Sequence, residues 1–251
     1  MRKAAARLGG NEPAPAPAPA PPKKPKYPLD YDPAACEVID LVKPYTMTSH
    51  EKLYALITAV RYVVDARVEG ALVECGVWRG GSMHAIARTL DERGVHDREL
   101  HLFDTFQGMT EPTERDRKIK GDRRADELLE TSAKNTWVWA VASIEDVREG
   151  LQTLPYPYER FHLVKGPVEE TIPEHCPEKI ALLRLDTDWY ESTRHELEHM
   201  YDRLQPGGIL IIDDYGTWQG SKEATDEFVA RLDKPLMLMR AGRSRIAVKP
   251  G

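Results

Sequence analysis

The chain has 251 residues, of which 41% are hydrophobic and 30% charged, a composition typical of a globular protein with one well-filled core. Its formal net charge of −6 at pH 7 gives it no general attraction for nucleic-acid phosphate, so no nucleic-acid partner is expected. No apolar run approaches the roughly 18 residues that a membrane-spanning helix needs, so no membrane partner is expected either.

The cysteines and the first residues of the chain indicate its cellular location. Cys36, Cys75 and Cys176 are widely spaced, odd in number and form no CxxC pair, a pattern typical of reduced thiols and not of a zinc site. The N-terminus is basic but lacks the apolar segment of a secretory signal. We therefore expect a cytoplasmic protein.

Residues 1–28 are predicted to be a disordered, Ala/Pro-rich tether. The stretch 11–28 reads NEPAPAPAPAPPKKPKYP, in which proline fixes φ and removes amide donors, so an extended, polyproline-like conformation is favoured. A PxxP segment that docks on a partner is the alternative interpretation. The remaining residues, 29–251, are predicted to form one domain.

The domain is predicted to begin with a helical cap at about 33–67. Its segment EKLYALITAVRYVVDARV repeats apolar residues at helical spacing, and Thr48 or Ser49 is placed to cap this helix. A short apolar strand then follows at 71–75, and after it come a glycine-rich turn and a helix that stops at Gly94. This order predicts a β-turn-α unit.

The rest of the domain alternates strands and helices. Further strands are predicted at 99–104, 160–166, 179–186 and 208–214, helices at about 144–153, 191–204 and 221–232, and a closing hairpin from 235–239 and 244–249. Strands that alternate with helices form a parallel sheet covered on both faces, so we predict a doubly wound, Rossmann-like α/β fold. Its seven-stranded sheet would be mostly parallel, with one antiparallel strand contributed by the hairpin.

Residues 110–135 interrupt this pattern with a highly charged segment that contains TEPTERDRKIKGDRRADELLE. Because the segment is too polar to lie in a core, we predict that it forms a surface insertion or lid. Its charges of both signs indicate a polar partner.

A glycine-rich turn after the first strand marks a candidate cofactor site, since ligands of such sheets bind at the carboxyl ends of the strands. Gly76, Gly80 and Gly81 let a ligand approach the backbone and the helix N-terminus. Glu74 would repel a pyrophosphate but attract an ammonium or sulfonium group, and Asp104 could accept hydrogen bonds from a ribose diol. Together they favour S-adenosylmethionine; the alternative is a plain turn beside two solvated acids.

Two further strands end in pairs of acids. Asp186 ends the strand at 179–186 and Asp188 lies just beyond it, and Asp213 and Asp214 end the next strand. Four such carboxylates would repel one another, so they are either separated or gathered around a cation. We favour a cation and expect Mg²⁺, which prefers oxygen ligands. Asp188, just beyond the strand, could then act as a general base. The alternative is that these acids are helix caps or Asx-turns.

Several longer motifs resemble the macrocin O-methyltransferase family, whose members methylate sugar hydroxyls of macrolide and aminocoumarin natural products. The motifs are VECGVWRGGSM (73–83), FDTFQGM (103–109), LRLDTDWYEST (183–193), LQPGGILIIDDYG (204–216) and, upstream, YTMTS (45–49). They occur in order, and the likeness spans about residues 40–249. The resemblance implies a class I S-adenosylmethionine-dependent methyltransferase that tailors natural products in antibiotic biosynthesis.

The resemblance also implies roles for individual residues. The implied cofactor-binding residues are Glu74, Gly76, Trp78, Gly80, Gly81 and Ser82 at the methionine end, Asp104, Thr105 and Phe106 at the ribose and adenine, Ser143 near the adenine, and Thr46, Met47 and Ser49 in the segment that closes over the cofactor. It implies that Asp186, Asp213 and Asp214 bind Mg²⁺ and that Asp188 is the base. The segment 110–135 differs from the family pattern and would determine which substrate the protein binds.

The acid cluster together with the resemblance implies a metal-dependent O-methyltransferase that acts on a hydroxyl, in the first place a sugar hydroxyl, of a glycosylated small-molecule natural product. We expect a homo-oligomer, a dimer or higher. A catechol-like phenol is the alternative acceptor, because a metal held by carboxylates chelates vicinal oxygens equally well. Two different classes of protein also stay open at this point: an NAD-dependent oxidoreductase on a related sheet, and a scaffold protein without turnover.

Overall fold

The structure, a computed structural model, describes residues 25–134, 136 and 138–251. Most of the predicted tether, residues 1–24, lies outside the described residues, and residues 25–30 contain only turns and bends. Tyr31–Gly251 form one compact unit, to which all helices and strands named below belong. None of the helices in the described ranges combines the length and the apolarity needed to cross a membrane.

Seven strands of the described chain form one sheet. They are β1 (Ala71–Cys75), β2 (Leu100–Asp104), β3 (Phe161–Lys165), β4 (Ile180–Leu185), β5 (Leu204–Ile212), β6 (Met239–Ala241) and β7 (Ser244–Val248), in the spatial order β3-β2-β1-β4-β5-β7-β6. β1 to β5 run parallel, and β7 runs antiparallel to β5 and β6, which confirms the predicted sheet with one antiparallel strand. Because the strand order reverses between β1 and β4, a crevice is expected at their carboxyl ends.

The described chain also contains eight α-helices. They are α1 (Pro33–Val42), α2 (His50–Asp65), α3 (Gly81–Glu92), α4 (Ala125–Glu130), α5 (Ile144–Gln152), α6 (Val168–Thr171), α7 (Tyr190–Met200) and α8 (Gln219–Val229). α1, α2 and α3 pack together, and so do α6, α7 and α8. The central strands β1 and β4 are buried along their whole lengths, as expected for parallel strands covered on both faces.

The helical cap consists of two helices rather than one. α1 ends in a short 3₁₀ turn, Lys43–Tyr45, whose Pro44 lacks the amide donor that a continuing helix needs. The chain is extended at Thr46, and α2 begins after Ser49, which occupies the predicted N-cap position without a side-chain capping bond. This break matters because it leaves Thr46–Ser49 as an extended segment beside the crevice.

The C-terminal hairpin is shifted relative to the sequence prediction. We predicted a strand at 235–239, but the pairing strand β6 is Met239–Ala241. A two-residue turn at Gly242 and Arg243 places Ala241 opposite Ser244 and so sets this register. The apolar residues before β6 do not pair: Leu236 packs into the core through its side chain, whereas Met237 is 77% exposed.

The charged insertion is not uniformly a surface segment. We expected 110–135 to be too polar for a core, but α4 buries Ala125 and Leu129 in a small cluster with Trp189 and Trp218. Two antiparallel bridges, Arg117 with Arg124 and Lys118 with Trp218, tie the insertion to itself and to the chain after β5. The insertion therefore packs against the edge of the sheet where the predicted site lies.

Candidate functional site

A cavity of about 860 Å³ opens at the carboxyl ends of β1, β2, β4 and β5. Residues that follow these strands line it, among them Gly76, Asp104, Thr105, Asp186, Asp188, Asp213 and Asp214. Further lining comes from the insertion, through Lys118, Leu128 and Leu129. The glycine turn and the acid pairs that the sequence singled out therefore face one common cavity.

The glycine turn is shaped by a close backbone approach between β1 and β4. Gly76 has a φ of +79°, and a Cβ at this position would lie 2.1 Å from the carbonyl oxygen of Asp186. The amide of Asp186 donates to the carbonyl of Cys75 at 2.8 Å, which continues the β1–β4 pairing to this point. Only glycine fits here, so the turn and the first acid are held side by side.

Asp104, at the end of β2, organises the same turn. Its Oδ2 accepts the amides of Val77 at 2.6 Å and Trp78 at 3.1 Å, and its Oδ1 accepts the amide of Phe106 at 2.6 Å. Burial raises the pKa of Asp104, and these amide bonds oppose the shift. From the sequence we expected a ribose-binding acid; in the structure this carboxylate first of all shapes the turn, while it still faces the cavity.

The extended segment Thr46–Ser49 lies over the start of α3. A Cβ on Gly81 would lie 2.4 Å from the Cβ of Thr46 and 2.5 Å from the carbonyl oxygen of Tyr45, so only glycine allows this packing. Thr46 Oγ1 accepts the amide of Thr48 at 3.0 Å, which holds the bend. The segment that was predicted to close over a cofactor is therefore packed beside the turn.

A second, smaller cavity of about 50 Å³ is lined by this segment and by Glu74, Trp78 and Ser82. Glu74 is 1% exposed, and its Oε1 accepts from Arg184 Nη1 at 2.5 Å. Among the described residues, its Oε2 has no hydrogen-bond donor at normal geometry, although the neighbouring Ser82 hydroxyl lies close enough to lower the pKa of Glu74. Burial raises the pKa of Glu74 to about 8, against the opposing charge of Arg184. A buried carboxylate oxygen without a donor fits a cationic group of a ligand.

The predicted cofactor residues divide into those that line a cavity and those that do not. Thr46, Met47, Ser49, Glu74, Gly76, Trp78, Gly81, Ser82, Asp104 and Thr105 each line at least one of the two cavities. Three others lie outside both: Gly80 precedes α3 with a φ of +81°, Phe106 is buried with a φ of +52°, and Ser143 caps α5. Ser143 Oγ accepts the amide of Asp146 at 3.1 Å, so this hydroxyl serves a helix end and does not face the cavity.

The expected convergence of acids is present at the ends of β4 and β5. Asp186, Asp213 and Asp214 each offer a carboxylate oxygen, and these oxygens lie within 4.8 Å of one another. The amide of Asp213 donates to the carbonyl of Leu185 at 2.8 Å, so the acid pair begins where β5 still pairs with β4. Neighbouring parallel strands therefore deliver all three carboxylates to one point.

Two protein cations lie among these acids, whereas the sequence analysis considered only separated carboxylates or a bound cation. Arg184 Nη1 lies 2.8 Å from Asp186 Oδ2, and its Nη2 lies 2.7 Å from Asp213 Oδ1. Lys52 Nζ pairs with Asp213 Oδ2 and donates to the Asp213 carbonyl at 3.1 Å. Burial would raise the pKa of Asp213, but these two charges outweigh it and lower that pKa to about 2.

The three carboxyl groups nevertheless outnumber the two cations at this point. Asp214 is 7% exposed, and its Oδ2 is a buried oxygen with no hydrogen-bond partner among the described residues. Burial and the neighbouring charges of Asp188 and Asp213 raise the pKa of Asp214 well above its usual range. Burial also raises the pKa of Asp186, although Arg184 opposes the shift. Oxygen-only donors with an unpaired buried oxygen fit a hard divalent cation.

Asp188 lines the same cavity from a strained position. Its φ is +68°, a conformation that is uncommon outside glycine, and such strain clusters at functional sites. Burial and then the charge of Asp186 raise the pKa of Asp188 to about 7, which suits a group that accepts a proton near neutral pH. The preceding residue, Thr187, donates from Oγ1 to the buried Glu196 at 3.2 Å. This contact anchors the loop that carries Asp188.

Three cations at the site were missed from the sequence: Arg184, Lys52 and Lys118. The sequence could have indicated Arg184, because a charged residue inside the apolar run KIALLRLD needs partners of opposite charge when it is buried. Lys52 reaches Asp213 from α2, across 161 positions of sequence, and no local pattern indicates this contact. Lys118 lies in the charged insertion, with Nζ 3.6 Å from the ring centroid of Trp218.

Comparison with known proteins places these features in a family. The family model described as macrocin-O-methyltransferase (TylF) matches residues 40–239. The chain is 33% identical to demethyldecarbamoylnovobiocin O-methyltransferase of Streptomyces niveus over 189 residues. This matched region covers 75% of this chain and 69% of the relative. A second relative is 8-demethyl-8-(2,3-dimethoxy-alpha-L-rhamnosyl)-tetracenomycin-C 4'-O-methyltransferase of Streptomyces olivaceus, to which the chain is 34% identical over 171 residues. This matched region covers 68% of this chain and 62% of the relative.

A solved structure gives the same result for the fold. The structure of the O-methyltransferase NovP superposes with a TM-score of 0.69 at 30% sequence identity, and the match covers 82% of this chain and 83% of that one. The residues that the family model matches include strands β1 to β5, the glycine turn and both acid-bearing strand ends, whereas β7 lies beyond them.

Proposed function

Because the chain belongs to the macrocin O-methyltransferase family, we propose that it transfers a methyl group from S-adenosylmethionine to a sugar hydroxyl of a small-molecule natural product. The observation that carries this proposal is the gathering of three carboxylate oxygens within 4.8 Å, beside a glycine turn and open to a cavity of about 860 Å³. This arrangement offers room for a methyl donor and an acceptor next to a site for a cation.

Residues of the two cavities would bind the donor. Glu74 would accept the ammonium group through its unpaired Oε2, because a buried carboxylate is stabilised by an opposite charge. Gly76 and Trp78 would let the donor approach the turn closely, and Asp104 with Thr105 would contact the ribose. When bound, S-adenosylmethionine supplies a methyl group already activated on a sulfonium.

Asp186, Asp213 and Asp214 would hold a divalent cation, which we propose to be Mg²⁺. Their oxygen-only donor set and the unpaired Oδ2 of Asp214 support this assignment. A cation at this point would supply positive charge that stabilises the charge developing on the acceptor oxygen. Lys52 would have to give up part of its contact with Asp213 Oδ2, since that oxygen belongs to one of the three ligands.

Asp188 is the residue that we propose as the general base. It would accept the proton of the acceptor hydroxyl, whose oxygen then takes the methyl group while S-adenosylhomocysteine leaves. Its position in the cavity and its pKa of about 7 support this role. Most of the rate enhancement would come from positioning, because the donor is already activated.

The cavity also suits an acceptor with polar and apolar parts. Trp189 and Trp218 pack edge to face at 4.8 Å and line it with Leu128, whereas Lys118 provides a cation on the same side. A glycosylated natural product presents such a combination, and the names of both relatives describe antibiotic-type acceptors.

The free cysteines Cys36, Cys75 and Cys176 support the proposed cytoplasmic location.

Two measurements test the proposal. Calorimetric titration with S-adenosylhomocysteine and, separately, with NAD should give binding of the former alone; binding of NAD alone would replace the methyltransferase proposal by an oxidoreductase. Mass spectrometry should then show a gain of one methyl group on a sugar-bearing acceptor from a panel of demethylated glycosylated antibiotics and catechols. Methylation of catechols alone would move the acceptor to the phenol class.

A further inference from the structure

Arg184 is the largest fully buried side chain of the described chain, and it lies where the two halves of the site meet. It sits in β4 with Glu74 as its Cα partner on β1, and Ile211 as its partner on β5. Its guanidinium contacts Glu74 at 2.5 Å, Asp186 at 2.8 Å and Asp213 at 2.7 Å. A single cation therefore joins the carboxylate of the small cavity to two carboxylates of the acid cluster.

The same guanidinium also reaches the covering segment. Arg184 Nη2 donates to Thr48 Oγ1 at 3.2 Å, so Thr46–Ser49 is tied to the charges beneath it. Both terminal nitrogens are thus engaged with groups that face one of the two cavities. Such an arrangement is geometrically specific, because the planar guanidinium fixes the directions of its partners.

Stability alone does not account for this buried ion network. Burial of charges costs about as much free energy as their pairing returns, and apolar side chains of similar volume are often at least as stabilising. β4 is otherwise apolar from Ile180 to Leu185, so the sequence could have continued the core at this position. The placement of Arg184 between two ligand-facing groups therefore points to a role in binding.

We propose that Arg184 is a positioning residue that fixes Glu74 for the ammonium group of the methyl donor and ties that contact to Asp186 and Asp213. This inference rests on the proposed function, in which Glu74 binds the amino-acid end of the donor. Arg184 occupies Oε1 of Glu74, which leaves Oε2 for the small cavity. The guanidinium acts through Glu74 and need not contact the donor itself.

The electrostatics of Glu74 agree with this geometry. Burial raises its pKa to about 8 even with Arg184 beside it, so the guanidinium alone does not keep this carboxyl ionised near neutral pH, and a second positive charge at Oε2 would favour the ionised form. Without Arg184 the pKa of Glu74 would rise further, so the donor's ammonium would have to ionise this carboxyl without the help of the guanidinium. The residues that anchor Arg184 from the other side, Asp186 and Asp213, therefore influence the methionine end without contacting Glu74.

The test compares two ligands that share their adenosine part. S-adenosylhomocysteine carries the amino-acid end, whereas 5'-methylthioadenosine lacks it, and both can be titrated into EDTA-treated protein by calorimetry. In Arg184→Met the affinity for S-adenosylhomocysteine should fall at least about tenfold, and that for methylthioadenosine should change less than about twofold. Arg184→Lys should give a smaller loss, because an ammonium restores the charge but not the planar fork.

Arg61→Met is the matched control. Arg61 is also largely buried and pairs with two acids, Asp32 and Glu92, but it lines neither cavity. Its replacement should lower the thermal midpoint and leave both affinities unchanged. Asp213→Asn, which removes an anchor of Arg184, should weaken the binding of S-adenosylhomocysteine and spare that of methylthioadenosine. This variant keeps the inference testable if Arg184→Met does not fold.

The outcomes separate the inference from the proposed function. If the wild-type protein binds neither ligand, the proposed function fails and the inference fails with it. Suppose instead that the wild type binds both ligands. If folded Arg184→Met then binds S-adenosylhomocysteine normally, or loses affinity for both ligands equally, the positioning role is overturned. The methyltransferase proposal stands in either case. In the Glu74→Gln background, removal of Arg184 should add less than about threefold; a full additional loss would show that Arg184 acts on the donor independently of Glu74 and overturn the inference.

Discussion

A Cβ on Gly76 would lie 2.1 Å from the carbonyl oxygen of Asp186, so the end of β1 and the end of β4 approach as closely as two backbones can at this point. This contact sets the donor turn directly beside the first carboxylate of the acid cluster. The proposed chemistry depends on it, because methyl transfer requires donor and acceptor to be held in one geometry.

Gly76→Ala should therefore both destabilise the fold and weaken donor binding. The new methyl group meets backbone and needs a φ of +79°, so we expect a loss of about 2–4 kcal/mol in the free energy of unfolding. Chemical denaturation and calorimetry with S-adenosylhomocysteine measure the two effects. Gly94→Ala is the control, since Gly94 also has a positive φ but nothing lies within 4 Å of its added Cβ. Equal losses in the two variants would show that backbone strain alone is responsible.

Asp188→Asn should fold and bind S-adenosylhomocysteine normally while kcat falls about 100-fold or more, because the amide cannot accept the acceptor's proton. Single-turnover methylation, followed by mass spectrometry, measures the chemical step. Asp122→Asn provides a matched control, because Asp122 also has a positive φ but is exposed and lines neither cavity. A wild-type rate in Asp188→Asn would show that Asp188 is not the general base.

Lys118→Met should raise KM for the acceptor about tenfold and leave the affinity for S-adenosylhomocysteine unchanged. Lys118 lines the main cavity from the insertion and stacks on Trp218, so its loss removes a polar contact from the acceptor side only. Steady-state kinetics with saturating donor measure KM. Lys120→Met, an exposed position in the same segment, should behave as wild type. An unchanged KM in Lys118→Met would place the acceptor elsewhere in the cavity.

His84 should contribute a loss of stability in mild acid, opposite in sign to the contribution of buried carboxyls such as Asp188, whose pKa is raised. Burial, followed by the charges of Arg88 and Arg79, lowers the pKa of His84 to about 4, whereas the unfolded chain has an imidazole pKa of about 6.5. Between these values the unfolded state binds a proton that the folded state does not, so the free energy of unfolding decreases as pH falls from 6.5 to 4. The loss from this residue amounts to about 3 kcal/mol at most.

His84→Phe should flatten that dependence, since phenylalanine keeps the stacking on Tyr45 without titrating. Urea denaturation at several pH values between about 7 and 4 gives the slope in each protein. A residual slope should remain in the variant, because burial also lowers the pKa of His101 to about 4 and raises that of Asp188 to about 7, and these two groups act in opposite directions. Identical slopes in the variant and the wild type would mean that His84 is accessible to protons in the folded state.

Much of the fold and the location of the site followed from the sequence. The apolar runs that become β1, β4 and β5 are short, are punctuated by turns and end in acids, and parallel strands place their carboxyl ends along one edge. Convergence of Asp186 with Asp213 and Asp214 then requires only that β4 and β5 be neighbours, which they are. Such strands can be predicted from the local sequence because both faces of the sheet are buried, so that each strand appears as a short apolar run.

The features that could not be predicted depend on contacts between distant segments. Lys52 belongs to a helix whose pattern indicates only which face is apolar, so its contact with Asp213 is set by how α2 docks. The register of the hairpin follows from the turn at Gly242, whereas the apolar residues before it favoured an earlier strand. α4 is short and highly charged, and its two buried residues acquire a core only when Trp189 and Trp218 are brought to them.

The most direct measurement is a crystal structure of the protein with S-adenosylhomocysteine and Mn²⁺, in which anomalous scattering locates the ion. We expect one Mn²⁺ within about 2.5 Å of oxygens from Asp186, Asp213 and Asp214, with the amino group of the ligand at Glu74. An occupied donor site with no anomalous peak at these carboxylates, and with Lys52 still paired to Asp213, would contradict the proposed cation beside the methyl donor.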